Sequence, residues 1–262
     1  MKRKIVASAL FMIGAMVLFG GCSDTTSSTA RTTTTNNVVH DVVHDADSEV
    51  VLRPFQVSSF DGLEIGGGSS FVVVFRQSNN IAVYMELQED LFDFYEVYVS
   101  RGTLHLERSD IGNTLSVDHR PRVYIYAPYL TAINVRGALH TEDWEVISTP
   151  NFSITSNGFV SLSAPLEVDA LELHLNGASE LTFWGYAHNA TITKNGAGSI
   201  MAVNLQTANT TISLNGAGDI EIAVSDNLDA TLGGVGSIRY IGNPAIVQYI
   251  SRGAVGSISR VE

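Results

Sequence analysis

Apolar and polar residues alternate with period two through most of the chain, and in its second half the alternation is broken at regular intervals. Asn157-Gly158 leads to Leu162, Asn176-Gly177 to Leu181, Asn195-Gly-Ala-Gly-Ser to Ile200 and Asn215-Gly-Ala-Gly-Asp to Ile220. Gly233-Gly-Val-Gly-Ser-Ile238 and Gly253-Ala-Val-Gly-Ser-Ile258 complete the series. The closing aliphatic residues at 162, 181, 200, 220, 238 and 258 are 19, 19, 20, 18 and 20 apart. A period near 20 makes each repeat one structural unit stacked on the next. Three residues before each turn stands Ile154, Leu173, Ile192, Ile212, Ala230 or Ile250; two beyond each closing aliphatic stands Ala164, Phe183, Ala202, Ile222, Tyr240 or Arg260. Apolar residues two apart on either side of a turn mark strands with one buried face.

These strands predict an all-β fold, a two-sheet parallel β-solenoid of about 20-residue coils over 131–262. At strand spacing, six coils rise about 29 Å. The turn glycines are Gly158, Gly177, Gly196, Gly198, Gly216, Gly218, Gly234, Gly236 and Gly256, placed where a chain corner favours residues that accept positive φ. Upstream, residues 51–130 form a different β region. Phe71–Phe75, Ile81–Tyr84, Tyr95–Val99, Leu104–Leu106 and Arg122–Ala127 read as strands, with a hairpin turn at Arg101-Gly102. This region is expected to cap the first coil, because an open solenoid end exposes unpaired strand edges.

Helix-like periodicity is confined to the N-terminus. Lys2-Arg3-Lys4 precede an uncharged run from Ile5 to Gly21 that stops at the lone cysteine, Cys22. This pattern predicts a signal peptide over 1–21. Small residues before a lone Cys resemble a lipoprotein signal, which implies cleavage before Cys22 and a lipid on its thiol as the membrane contact. The alternative is an unpaired thiol in a transmembrane anchor. Cleavage would remove three positive charges and no negative ones, taking the net charge from −12 to −15. Residues 22–50 follow as a Ser/Thr-rich tether unable to bury apolar surface. Two copies of Val-Val-His-Asp at its end place His40 and His44 at metal-binding spacing if helical, or on a solvated linker. The acidic balance and the lack of a Lys/Arg-rich tract exclude nucleic acid as the expected partner.

Enzymatic chemistry finds little to work with. There is no Gly-x-Ser-x-Gly elbow and no HExxH helix. The column before each closing aliphatic holds Ser161, Glu180, Ser199, Asp219, Ser237 and Ser257. Glu180 and Asp219 fall two coils apart, roughly 9–10 Å, near the separation of inverting glycosidase carboxylates. An outward polar ladder explains the column equally simply. The scattered His105, His119, His140, His174 and His188 read as surface side chains. No cofactor, metal or catalytic residue is assigned. Phe183-Trp-Gly-Tyr186 breaks the small-residue pattern: Phe183 is in phase with the core, whereas Trp184 and Tyr186 could stack on a sugar or partner protein.

Phe60-Asp-Gly-Leu-Glu-Ile65, Gly102-Thr-Leu-His-Leu106, Val-Tyr-Ile-Tyr-Ala-Pro128 and the Asn-Gly-Ala-Gly turns together resemble the GIN-domain family of auto-transporter adhesin heads. The resemblance spans roughly residues 55–262. It departs from the family in using Asn-Gly where Ser-Gly is common, and in a degraded first coil at Arg136-Gly137. It implies a β-superhelix, a cell-envelope location in a Gram-negative bacterium, adhesion as the function, and a homotrimer or other homo-oligomer. It implies no catalytic residues. A periplasm-facing scaffold or signalling lipoprotein, and a polysaccharide-active β-helix enzyme, are the alternatives.

Overall fold

The computed structural model describes residues 48–109 and 120–261. Cys22, His40, His44 and His119 lie outside the described residues. Among the described residues no helix is long and apolar enough to cross a membrane.

The chain is nearly all strand and winds a β-solenoid of about seven turns with ~19-residue coils. The N-terminal strands are β1 (Val50–Phe55), β2 (Gly62–Ile65), β3 (Ser70–Gln77), β4 (Ala82–Gln88), β5 (Tyr95–Ser100), β6 (Thr103–Arg108) and β7 (Arg122–Ala127). The stack continues through β8 (Ala132–Val135), β9 (Ala138–Thr141) and β10 (Ile147–Ser156). Its long strands are β11 (Phe159–Leu175), β12 (Ala178–Lys194), β13 (Gly198–Leu214) and β14 (Ile220–Leu232), followed by β15 (Val235–Ile241), β16 (Ala245–Ile250) and β17 (Val255–Arg260). Each long strand bends in its middle. Its first half lies in one sheet and its second half in the other, so a coil has two corners: the Asn-Gly turn and the bend opposite it.

The predicted columns align in register. Leu162, Leu181, Ile200, Ile220, Ile238 and Ile258 are successive partners, and all but Ile258 are fully buried. Ile154, Leu173, Ile192, Ile212 and Ala230 form the facing column. Its next member is Gln248, not the expected Ile250, which instead stacks on Leu232. The last Asn-Gly-type corner is longer: Ser251 takes the hydrogen bond that Gly233 makes one coil earlier, and Val255 the one made by Val235. Two extra residues therefore separate turn from strand and displace the count by two.

Residues 51–130 are spliced into the stack as well as closing its end. β2 lies parallel between β6 and β8, and β3 parallel between β7 and β9. Antiparallel β5 on β6, and β4 on β7 with β1 beyond, terminate the two sheets. The Arg101-Gly102 hairpin has both residues at positive φ, as a two-residue hairpin turn requires. Buried Trp144 donates to the Val73 carbonyl at 2.7 Å, tying the β9–β10 connection to the β3 layer.

The Asn-Gly corner holds its shape by close approach and amide ladders. Gly158, Gly177, Gly196, Gly216 and Gly234 have no Cβ space: one would sit inside the carbonyl oxygen of the coil below. Gly198, Gly218, Gly236 and Gly256 face the same close approach to the coil below and in addition have positive φ, so the second column is restricted to glycine on two counts. Asn176, Asn195 and Asn215 each donate to the Asn one coil earlier at 2.8–3.0 Å, starting from Asn157. Stacked amides of this kind extend cooperatively along parallel strands.

Lys194 is fully buried in a column of Leu175, Leu214 and Leu232. Its Nζ donates to the Gly196 carbonyl at 2.9 Å and the Ala217 carbonyl at 3.2 Å. Burial pushes its pKa below the ordinary lysine value.

Candidate functional site

Repetition fails at the corner opposite the Asn-Gly turns, and the failure makes a cleft. Along β12 and β13 the register advances by one extra residue between Thr182↔Met201 and Trp184↔Asn204. Between β13 and β14 the pairs jump from Ala202↔Ile222 to Gln206↔Ala223, leaving Val203, Asn204 and Leu205 unmatched. These are the 20- and 18-residue coils of the sequence. Buried Thr207 repairs the break by donating to the Ala223 carbonyl at 2.7 Å, while Thr210 donates to the Thr207 hydroxyl at the same distance. A second amide ladder, Asn227 to Asn209 to Asn189 at 2.7 and 3.1 Å, restores the stack just beyond.

The resulting cleft of about 570 Å³ presents Tyr186, His188, Gln206, Asp226 and Asn243 around a floor that includes Ala208 and Val224. A second, shallower cleft of about 310 Å³ lies on the other side of Tyr186, lined by Pro150, Glu167 and Asp169 among others. Tyr186 is a ridge shared by both, 44% exposed, with its hydroxyl hydrogen-bonded to His188 Nδ1 at 2.9 Å. Glu167, Tyr186 and Gln206 are register partners on three successive coils. The two clefts cross five coil steps from Ser148 to Asn243, about 24 Å at strand spacing. An aromatic ridge, hydrogen-bonding side chains and an apolar floor are the ingredients of a site for an elongated polar ligand.

The other expected residues fall elsewhere. Trp184 is 41% exposed, stands between Pro165 and Asn204 and lines neither cleft. Between the two aromatics Gly185 has φ 105° and packs on the Leu166 carbonyl, so the segment is a bent strand rather than a turn. Glu180 and Asp219 share the outward column with Ser199 between them. Asp219 accepts from the Ser237 amide at 2.8 Å and faces Arg239 at 3.7 Å, which occupies it structurally. His188 was expected only as a surface residue; its position in the cleft had no signal except its nearness to the irregular coils.

His105 departs from the expected exposure. It is largely buried, stacks on Tyr98 with ring centroids 4.7 Å apart, and places Nδ1 3.6 Å from Glu64 and 3.9 Å from Glu107. These three side chains could converge on a cation. The Arg136 guanidinium already bonds both carboxylates, so the group closes as an ion-pair cluster.

The comparisons with known proteins agree with this architecture. The family model described as "Putative auto-transporter adhesin, head GIN domain" matches residues 59–244. Similar solved structures include a protein from Bacteroides fragilis described as a putative adhesin, 24% identical, with a TM-score of 0.71 over 81% of this chain and 97% of that one. Two from Parabacteroides distasonis, each 19% identical over 82% of this chain and 98% of theirs, are described as a putative adhesin (TM-score 0.61) and a putative lipid binding protein (TM-score 0.59). At these identities the likeness establishes the shared fold. No curated protein sequence matches the chain significantly. By its family match the chain belongs to the GIN-domain family of adhesin heads.

Proposed function

We propose that the chain is a non-enzymatic, surface-facing adhesin module of the cell envelope, held by a lipid on Cys22, and that it binds an elongated glycan along the bent corner. The observation that carries this reading is the paired cleft on either side of Tyr186. A sugar ring can stack on the exposed tyrosine face while Gln206, Asn243 and His188 address its hydroxyls. Glu167, Asp169 and Asp226 make the rim acidic, which favours neutral or cationic chains over anionic ones. Family membership supports binding over chemistry, and so does the structural employment of Asp219.

Protease shaving of intact cells, blotted for this chain beside a periplasmic control, tests orientation. Digestion with the control intact supports the surface role. Protection until the outer membrane is opened replaces it with a periplasm-facing scaffold. Binding of the purified chain to a panel of neutral and acidic glycans then tests the ligand class: saturable binding of a neutral chain that is lost in Tyr186→Ala is the expected result.

A further inference from the structure

The coil farthest from the N-terminal cap is built differently from every coil beneath it. In the sheet that ends with β16, two outward columns run through five coils. One holds Ser153, Glu172, Thr191, Thr211 and Asp229; the other holds Thr155, His174, Thr193, Ser213 and Thr231. Every member is polar. Their successors on β16 are Val247 and Tyr249, 65% and 62% exposed. Facing the lumen, Ile246 and Ile250 are also about half exposed. Apolar side chains on both faces mark a strand suited to burial on both faces. On its far side β16 pairs with no other strand among the described residues, and it carries none of the lysines, prolines or bulges that normally protect such an edge.

We infer that β16 is the interface of a two-fold homodimer, pairing antiparallel with β16 of a second copy about Gln248. The sequence Ile246-Val-Gln-Tyr-Ile250 is self-complementary in that register. Ile246 meets the second copy's Ile250 over the lumen, Val247 meets its Tyr249 on the outer face, and the two Gln248 amides face each other. Directly opposed residues in an antiparallel pair point to the same face, and aromatic–β-branched pairs are among the favourable ones. Two-fold symmetry repeats each contact.

Charge supports a copy of this chain as the occupant. The chain carries −12 overall, yet between Asp229 and Glu262 it has Arg239, Arg252 and Arg260 and no carboxylate, so the β16 edge lies in a stretch with little of the acidic charge that opposes association of two copies. Size agrees too. Ile246, Val247, Tyr249, Ile250 and neighbouring Val235 and Val255 are each about half exposed or more. At on the order of 100 Å² apiece they amount to about 600 Å² per partner, the lower edge of specific interfaces.

Light scattering coupled to gel filtration of the full-length chain in mild detergent, at about 10–100 µM, tests the assignment. The expected mass is that of two chains, halving in a Val247→Lys, Tyr249→Lys double variant whose circular dichroism and melting transition stay those of the parent. A parent that remains monomeric, a trimeric mass, or a dimer that survives the double variant would each overturn it.

Discussion

The two corners of each coil carry the same load and are built by opposite rules. At the Asn-Gly corner successive backbones touch so closely that a single Cβ has nowhere to go, and the Asn amides count the coils at one per layer. At the opposite corner one coil carries three unmatched residues and the next recovers the register within a few positions. The first corner sets the pitch of the stack. Because it does, the second can lengthen or shorten without disturbing the core, and the space left by that freedom is where the cleft forms. Regularity on one side thus permits a site on the other, the usual division between a rigid scaffold and functional loops.

Gly196→Ala should break the comparison most violently. Its new Cβ would collide with the Gly177 carbonyl, a backbone atom that can retreat only by separating two coils. We expect a loss of about 4 kcal/mol or more in chemical denaturation, in the range reserved for clashes and strain. One glycine inserted after exposed Asn204 at the other corner should cost about 1 kcal/mol or less, since lengthening a surface loop is entropically cheap. Equal losses from the two changes would abolish the distinction.

That distinction was half legible in the sequence. Coil spacing placed Leu162 through Ile258 in one column, because a period that recurs six times averages out local ambiguity. Ile250 was misplaced by two, since nothing local reports two residues added to a final turn. The glycine of each Asn-Gly pair reads locally as a positive-φ residue, whereas its requirement is contact between layers, a property of two coils together. The insertion of β2 between β6 and β8 was invisible for the same reason: it joins segments some 40 and 70 residues apart that share no repeat. The cleft left one trace, the spacings of 20 and then 18, which show that two neighbouring coils differ in length but not at which corner. Lys194 is the one lysine beyond Lys2 and Lys4, and nothing in its local sequence signals that it points inward.

The amide ladders sharpen the comparison at smaller scale. Asn195 and Asn209 are each the interior member of a ladder, donating to one neighbour and accepting from another. Asn195→Ala and Asn209→Ala should each cost about 1 kcal/mol by thermal or urea melting, the ordinary net worth of a hydrogen-bonded group. A much larger loss at Asn195 would mean that its ladder, rather than the glycine column, sets the pitch. Lys194→Met should move the other way, stabilising by up to about 1 kcal/mol, because it removes a buried ammonium while the Gly196 and Ala217 carbonyls keep the amides of Ala217 and Gly218's coil neighbour Gly198. Folding disfavours the charged lysine, so the unfolded chain holds that proton more tightly and wild-type stability should rise as pH climbs toward the ordinary lysine value. In Lys194→Met that part of the rise disappears.

Tyr186→Ala is expected to change stability least and function most. The ring is exposed and its hydroxyl bonds only His188, so its loss should shift unfolding by under about 0.5 kcal/mol. If the bent corner is the binding face, the same change removes the stacking surface shared by both clefts and should weaken glycan binding by roughly 10-fold or more, the equivalent of about 1.4 kcal/mol. Trp184→Ala, two residues away on the same bend and outside both clefts, is the matched control and should bind as the parent does. Surface plasmon resonance with one immobilised glycan reads both variants side by side. Loss of binding in Trp184→Ala with Tyr186→Ala intact would move the site off the clefts and onto the outer face of the bend, and the irregular coils would then be a tolerated variation in the stack with no part in recognition.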